Sequence, residues 1–295
     1  MKKIFRSYHV WPQFPSLSMS GNACALHCKH CNHTYLNDMQ PCTHPEDLIE
    51  TCRSIADQGA VGFLLSGGCD ISGEMLNLRT LLPAIKQIKQ ETNLIIKLHT
   101  GIVDNDLAQD IGDAGVDIAS VEVVGSNQTI HDIFDYEVTV ASYQNTLYNL
   151  SIAKIPYIVP HVCIGLDYGN INGEFHALDM IKQTCTPALI VFIVFRPTKG
   201  TPLASCKIPS PADVKTVISY AHQLFPTTEL SLGCIRPRTR FREDIERAAV
   251  DAGVTRMEIP SKSTLNYVQE EGFTIRKIHA CCALPQELEK QLILV

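Results

Sequence analysis

Three cysteines within eight residues, Cys24-Ala-Leu-His-Cys28-Lys-His-Cys31, are the part of this sequence best suited to chemistry. A C-x3-C-x2-C spacing on one short loop can bring three thiolates onto one metal centre. A 4Fe–4S cluster held by three thiolates keeps one iron without a protein ligand. An open position of this kind separates a reactive metal site from a structural one. Two other readings stay open from the residues alone. Cys24, Cys28, Cys31 and His33 could form a zinc site of three cysteines and one histidine, and Cys28-x-x-Cys31 could be a redox pair. The spacing is not that of paired zinc knuckles.

A second motif follows further along. Leu65-Ser66-Gly67-Gly68-Cys69-Asp70 closes an apolar run with paired glycines, which let backbone approach a ligand closely. Polar groups then recur at the ends of apolar runs, where a core needs none. They are His99 before Thr100-Gly101, Glu122 before Val123-Val124-Gly125, His161 and Cys163 before Ile164-Gly165, Arg196 before Pro197, and Cys234 with Arg236. Each has a plain alternative. A histidine is more often a satisfied polar group than a ligand, and a buried cysteine packs as a small apolar residue.

These residues need a scaffold that ends several strands at one place. Candidate strands are Leu17–Ser20, Val61–Ser66, Leu94–His99, Ile118–Val124, Tyr157–Ile164, Ala188–Phe195, Glu229–Cys234 and Arg256–Ile259. Most are continuous runs of Val, Ile and Leu, the pattern of parallel strands covered on both faces. Amphipathic stretches lie between them. Pro45–Gln58 places Leu48, Ile49, Cys52, Ile55 and Ala56 on one face, while Asp106–Ala114 and Glu243–Ala252 end at Gly115 and Gly253, each in a C-cap position. Eight strands with seven intervening helical segments predict an α/β fold, a (β/α)8 TIM-type barrel with parallel strands. A partial six-stranded barrel is the alternative, because the last strand is short. Both motifs fall at the C-terminal mouth, where barrel active sites form. One domain over 1–295 is expected, with a barrel core over about 16–261, an N-terminal arm 1–15 and a C-terminal tail 272–295.

The chain has 295 residues, 45% hydrophobic and 19% charged, enough for a sizeable core. A formal net charge of -6 argues against a nucleic-acid role, which usually needs a basic excess. Lys2 and Lys3 run into Arg6-Ser7-Tyr8-His9 and not into a signal-peptide core, and the longest apolar run, Ala188 to Phe195, is too short for a bilayer. A soluble, cytoplasmic protein is expected, acting on neither nucleic acid nor membrane. Twelve cysteines in a chain this large, three of them bunched, suit metal ligation better than disulfides.

Two features allow a plain and a sharper reading. Arg236, Arg238, Arg240, Arg242 and Arg247, with Glu243, Asp244 and Glu246 among them, read as a solvated face. Alternatively, Arg236 faces the cavity beside a substrate or cluster, and Arg238, Arg240 and Arg242 on the rim steer an acidic carrier domain. Cys281-Cys282, after His279, would make a strained disulfide with each other. A tail folded over the mouth would bring Cys281 or Cys282 near Cys163 and Cys234 as ligands of an auxiliary cluster; otherwise they are packing thiols.

On these motifs the sequence resembles the radical S-adenosylmethionine superfamily, with His30 in the place before the third cysteine that is usually aromatic. The resemblance implies that Cys24, Cys28 and Cys31 hold a 4Fe–4S cluster whose open iron binds S-adenosylmethionine. Electron transfer then cleaves the sulfonium to a 5′-deoxyadenosyl radical. It implies a cofactor site of His30, Ser66, Gly67, Gly68, Asp70, His99, Glu122, Ile164 and Gly165. The methionine end would lie at Gly67 and Gly68, ribose and sulfonium near Glu122, and adenine against Ile164 and Gly165. Cys69, inserted before Asp70, departs from the family's Gly-Gly-acidic motif and puts Asp70's part in question.

The stretch Ser231–Val254 and the segment His161-Val-Cys163-Ile-Gly165 look like biotin synthase, in which a cysteine of the latter segment ligates a second cluster. Leu64 and the Lys97–Thr100 region lack the two further cysteines that cluster uses. The archaeal-type two-protein lipoyl synthase fits better. It implies sulfur insertion into a carrier-bound octanoyl chain, a second radical subunit, and an electron donor such as ferredoxin or flavodoxin. It also implies a sulfur source, met by a second iron–sulfur cluster among Cys163, Cys234, Arg236, Cys281 and Cys282 or by the partner. A radical enzyme of cofactor assembly on a small-molecule substrate, and a non-catalytic metal-binding subunit, are the competing functions.

Overall fold

The computed structural model describes residues 3–134, 136–239 and 241–292. The apolar runs become β1 (Lys3–Tyr8), β2 (Ser16–Ser18), β3 (Gln40–Pro41), β4 (Gly62–Ser66), β5 (Ile95–His99), β6 (Ile118–Glu122), β7 (Tyr157–Ile164), β8 (Leu189–Val194), β9 (Glu229–Leu232), β10 (Arg256–Glu258) and β11 (Phe273–Ile278). Between them lie α1 (Pro45–Asp57), α2 (Leu78–Glu91), α3 (Asn105–Asp113), the short α4 (Asn127–Thr129) with a π-turn over Ile130–Phe134, α5 (Val140–Ile152), α6 (Glu174–Thr184), α7 (Pro211–Leu224), α8 (Arg242–Asp251), α9 (Lys262–Glu270) and α10 (Gln286–Leu292). Gly115 and Gly253 adopt φ of 84° and 109°, the left-handed geometry a helix C-cap asks of glycine.

All strands join one parallel sheet in the order β11-β1-β10-β9-β8-β7-β6-β5-β4-β2-β3. The eight strands expected from the sequence are β2 and β4 to β10, with ends moved by a few residues. The curl stays open, because β10 pairs with β1 and not with β2. The arm and the tail extend the sheet at that edge, with β11 registered on β1 from Lys3↔Phe273 to Tyr8↔Ile278. Phe5 and Tyr8 of β1 are fully buried, which fixes the arm in place.

The strands read as continuous apolar runs because each face is covered by a different partner. Ile96, Leu98, Ala119, Val121, Ile158, Val162, Ile190 and Phe192 pack with the helices in the larger core. Their alternates, Ile95, Ile118, Val159, Leu189 and Val191, pack with Ala280, Cys281, Cys282, Ala283, Leu284 and Leu288 of the tail. The tail therefore turns into the concave side of the sheet and fills its lower half. Buried charges anchor it: Glu289 of α10 pairs with Arg6 of β1 and Arg256 of β10, Tyr8 joins them, and Glu229 takes the other arms of both arginines. Among the described residues no helix is long and apolar enough to cross a membrane.

Candidate active site

Cys24, Cys28 and Cys31 lie on the loop that follows β2, at the C-terminal end of the sheet. Short-range backbone bonds shape this loop. The N–H groups of Cys31 and Asn32 donate to the Cys28 carbonyl at 3.2 and 2.9 Å, and Asn32 and His33 take left-handed φ of 41° and 64°. Neighbouring elements fix it in space: Ala25 N–H donates to the Cys69 carbonyl at 2.7 Å, and Lys29 N–H to Ile133 of the π-turn at 2.8 Å. Gly68 of the paired glycines touches the loop directly. A β-carbon there would overlap the Ala23 carbonyl oxygen and the Cys24 side chain, and lie 2.7 Å from Cys24 Cα.

Two of the three thiols converge with a histidine. Cys28, His30 and Cys31 offer ligand atoms within 4.8 Å of one another, and all twelve cysteines are free. A hydrogen bond between Cys28 and Cys31 raises the Cys28 thiol and lowers that of Cys31. Cys24 Sγ accepts the Cys69 N–H at 3.3 Å, the kind of donor that stabilises a thiolate. Burial, with the charge of Cys24 next, pushes Cys69 up to about 12. His30 packs edge-on to Phe134 with rings 5.2 Å apart; burial lowers it to about 4, and its buried Nδ1 has no partner. His33 is engaged elsewhere, with Nε2 2.7 Å from the Leu26 carbonyl. The ring that comes together with Cys28 and Cys31 is that of His30 and not that of His33. Three unpaired thiols with an N–H aimed at one sulfur suit a 4Fe–4S cluster with an open iron.

Above the tail, the concave face carries the polar strand ends. Ser66 Oγ is 3.3 Å from His99 Nδ1, Lys97 Nζ is 3.3 Å from His99 Nε2, and His99 and His161 meet edge to face at 5.4 Å. Burial and the Lys97 charge hold both histidines well below the usual imidazole range, so they are neutral. Burial raises Glu122 to about 7, and its charge acts on Cys31, Cys69 and Cys163. Glu122 thus lies between the cysteine loop and β7. Asp70 spends Oδ1 on Ser72 N–H, Ser72 Oγ and Glu74 N–H, a turn that shapes its own loop. Ile164 accepts Phe195 N–H and Gly165 donates to Glu174 at 2.7 Å, so this backbone is already partly paired.

Other thiols lie lower, Cys281 and Cys282 buried in the tail and Cys234 exposed. The Cys234 thiol, after β9, is acted on by Cys281, Glu258, Lys97 and Arg236; Cys282 is acted on by Cys281, Cys234 and Lys97. Cys163 does not join them: its neighbours are Glu122 and Glu174. The expectation of a tail over the mouth is corrected in one respect. The tail goes into the barrel, with Ser231 Oγ holding the Cys282 carbonyl at 3.1 Å.

Arg236 is fully buried and committed to Glu246, the Gly233 and Glu258 carbonyls and the Ile259 carbonyl. Arg238 pairs with Glu258, Arg242 with Glu246, and Arg247 with Ser263 Oγ. Arg240 lies outside the described residues. Arg238 and Arg242 are therefore partnered within the chain, as the charge-balanced reading expects and the alternative of a free docking rim does not. Two residues beside the site are not marked by motif, Cys69, whose N–H meets Cys24 Sγ, and Lys97, next to His99. Lys97 carried a signal, a charge in the otherwise apolar run Ile95-Ile96-Lys97-Leu98.

No protein-family model matches the chain. In sequence it is similar to biotin synthase of Geobacter metallireducens, 21% identical over 213 residues, 71% of this chain and 62% of that one. It is 22% identical over 192 residues to biotin synthase of Methanococcus aeolicus, 63% of this chain and 56% of that one. The match thus spans less than two thirds of these curated relatives. In fold it is similar to HydG, a maturase of the FeFe-hydrogenase, with a TM-score of 0.65, 14% identity, and 95% and 66% of the two chains covered. Methylornithine synthase (PylB) gives 0.62, 15%, and 93% and 84%. The cysteine loop resembles that of the radical S-adenosylmethionine superfamily, and the chain is similar in sequence to biotin synthase and in fold to HydG and PylB.

Proposed function

We propose that this chain is a radical S-adenosylmethionine enzyme of sulfur insertion. In this reading it acts on a carrier-bound acyl chain of the octanoyl type together with a second radical subunit. The observation that carries it is the presence of thiols in two places, Cys24, Cys28 and Cys31 on the loop at the mouth, and buried Cys281 and Cys282 in the tail with exposed Cys234 after β9. A 4Fe–4S cluster at the mouth, with S-adenosylmethionine, supplies a carbon-centred radical on one-electron reduction by a low-potential donor. The chain's own residues do the rest. Gly67 and Gly68 give backbone room for the methionine end, and Glu122 is the carboxyl suited to a sulfonium and ribose hydroxyls. Neutral His99 and His161 line the path inward without opposing a cation. The deeper thiols are the candidate seat of a second, sulfur-donating cluster.

The test is anaerobic reconstitution, followed by iron and sulfide analysis and incubation with octanoylated carrier peptide, with and without candidate partner subunits. About seven or eight irons per chain and thiolated peptide support the reading. About four irons, with 5′-deoxyadenosine formed and peptide unchanged, would assign the chain to radical chemistry without its own sulfur source. Metal binding without 5′-deoxyadenosine would leave a non-catalytic subunit.

A further inference from the structure

Two buried donors on the concave face of the sheet lack the partners they call for. Lys97 of β5 points inward, in step with Ile95 and His99, and is 3% exposed. Among the described residues no carboxylate lies within ion-pair distance of it. Its hydrogen-bond partner is His99 Nε2 at 3.3 Å. An ammonium only donates, so His99 Nε2 accepts, and the ring proton sits on Nδ1 and is donated to Ser66 Oγ at 3.3 Å. Lys97 therefore keeps unspent N–H groups. Ser120 of β6 is paired with His99 in the parallel register and shares its face with Ile118 and Glu122. It is 1% exposed, and its Oγ has no hydrogen-bond partner. Paired strands lie about 5 Å apart, so Ser120 adjoins the ring to which the Lys97 ammonium is bonded. These donors face a hollow. His99, His161 and Glu122 are only half-buried, although their strands lie mid-sheet and helices cover the other face. The surface they keep opens into the curl, between the tail floor and the cysteine loop.

We propose that Lys97 and Ser120 form an anion site at the base of this hollow, which holds the carboxylate of a small organic acid. A buried charge without a counter-ion and a buried hydroxyl without a partner are both costly. A carboxylate relieves both, by accepting from the ammonium and from the hydroxyl. The class of ligand follows from the charge. One ammonium among neutral histidines balances one negative charge, which suits a carboxylate and not a phosphate dianion. His161 closes the wall without competing for the anion. Its Nδ1–H donates to the Val159 carbonyl at 3.0 Å, and its ring meets His99 at 5.4 Å. Glu122, the acid on the same face, stands two residues nearer the mouth than Ser120. An acid anchored at Lys97 would therefore direct its hydrocarbon part toward the cysteine loop. This site goes beyond the sulfur-insertion reading and needs neither its carrier nor its second cluster, since an amide-linked octanoyl group has no free acid.

The test is isothermal titration calorimetry on the full chain after anaerobic reconstitution. Octanoate and acetate are the probes, with octanamide and acetamide as uncharged controls of the same shape. The parent should bind octanoate at least about tenfold more tightly than octanamide. Lys97→Met should weaken octanoate at least about tenfold and leave octanamide unchanged. Ser120→Ala removes a single oxygen and should weaken octanoate several-fold, which keeps the test open if Lys97→Met does not fold. Ligand-free Lys97→Met should melt at the parent's temperature or higher, since an unpaired buried charge has gone; a lysine needed only for packing would shift it downward. Equal affinity for octanoate and octanamide in the parent would make the hollow merely apolar and overturn the proposal. So would carboxylate binding that neither variant changes, or a parent that binds neither carboxylate. The sulfur-insertion reading is scored apart, by thiolation of octanoylated carrier peptide in the same preparation. Thiolated peptide without carboxylate binding would sink this site and keep that reading, and the reverse result would keep the site and sink the reading.

Discussion

Glu122 is the side chain at which the site's chemistry and the fold's stability meet. Its carboxyl is raised from 4.5 to about 7 because burial disfavours the charged form. In the unfolded chain it ionises near 4.5, whereas in the folded chain it stays neutral until about 7. The folded state therefore binds more protons between these values, and stability falls as pH rises from 4.5 to 7. Glu122→Gln abolishes that loss. Its melting temperature should match the parent below pH 4.5, gain steadily to pH 7, and hold its advantage beyond. Parallel thermal melts across this range would show it, and a constant offset at every pH would exclude the mechanism. S-adenosylmethionine affinity should move oppositely, weakening in Glu122→Gln most above pH 7, where the carboxylate would face the sulfonium. In the proposed cluster at the mouth each of Cys24, Cys28 and Cys31 is one of three ligands. Any single change to Ala should abolish 5′-deoxyadenosine formation. Wild-type production in one of them would remove that residue from the centre.

Among the elements, the β4 end and the cysteine loop are coupled through a glycine. Gly68→Ala has no room, since its neighbours are the Ala23 carbonyl and the Cys24 backbone. It should cost about 1–3 kcal/mol and displace Cys24, lowering iron loading in a chain that still folds. Gly67→Ala meets Ser20 Oγ at 3.1 Å and Ser20 N at 3.3 Å, a milder crowding than at Gly68, and should keep more of its iron. Equal loading in the two would break the link between Gly68 and the loop. The last units of the barrel depend on a different contact. Glu246 of α8 holds Arg236 and Arg242, accepts from Ser261 N–H and Thr264 Oγ1, and is fully buried. Glu246→Ala strips the buried Arg236 guanidinium of its closest acid, leaving Glu258 at 3.5 Å, and should cost about 3 kcal/mol by denaturant unfolding. The strands were legible in the sequence because two-sided burial writes itself as unbroken Val, Ile and Leu, and helix ends because Gly115 and Gly253 mark them. The fate of Arg236 was not legible. Its partner is ten residues away across a strand-to-helix turn, and charge spacing alone reads equally as a rim or a solvated face.

At the scale of the whole molecule, the open curl leaves room for the tail to enter and close the lower half of the barrel. This too was hidden in the sequence. Ala280-Cys281-Cys282-Ala283-Leu284 is small and apolar like many turns, and its place is set by ion pairs to Arg6 and Arg256 far away in the chain. The same residues that form the floor carry the lower thiols, so the anchoring network controls access to them. Glu289 is 2% exposed and joins Arg6, Arg256 and Tyr8. Glu289→Ala should strip both arginines of that partner, cost about 3 kcal/mol or more, and raise the population with the tail withdrawn. N-ethylmaleimide labelling followed by mass spectrometry reads that population directly. Cys281 and Cys282, 9% and 5% exposed, should label slowly in the parent and at least about tenfold faster in the variant, since each 1.4 kcal/mol is tenfold in an opening equilibrium. Cys52 lies in the helix-side core at 0% exposure and reports global unfolding. Fast labelling of Cys281 and Cys282 with Cys52 still protected means that the tail opens as a unit while the sheet stays folded. Simultaneous labelling of all three would mean that floor and barrel unfold together, and Cys281 and Cys282 would then be accessible only in an unfolded chain.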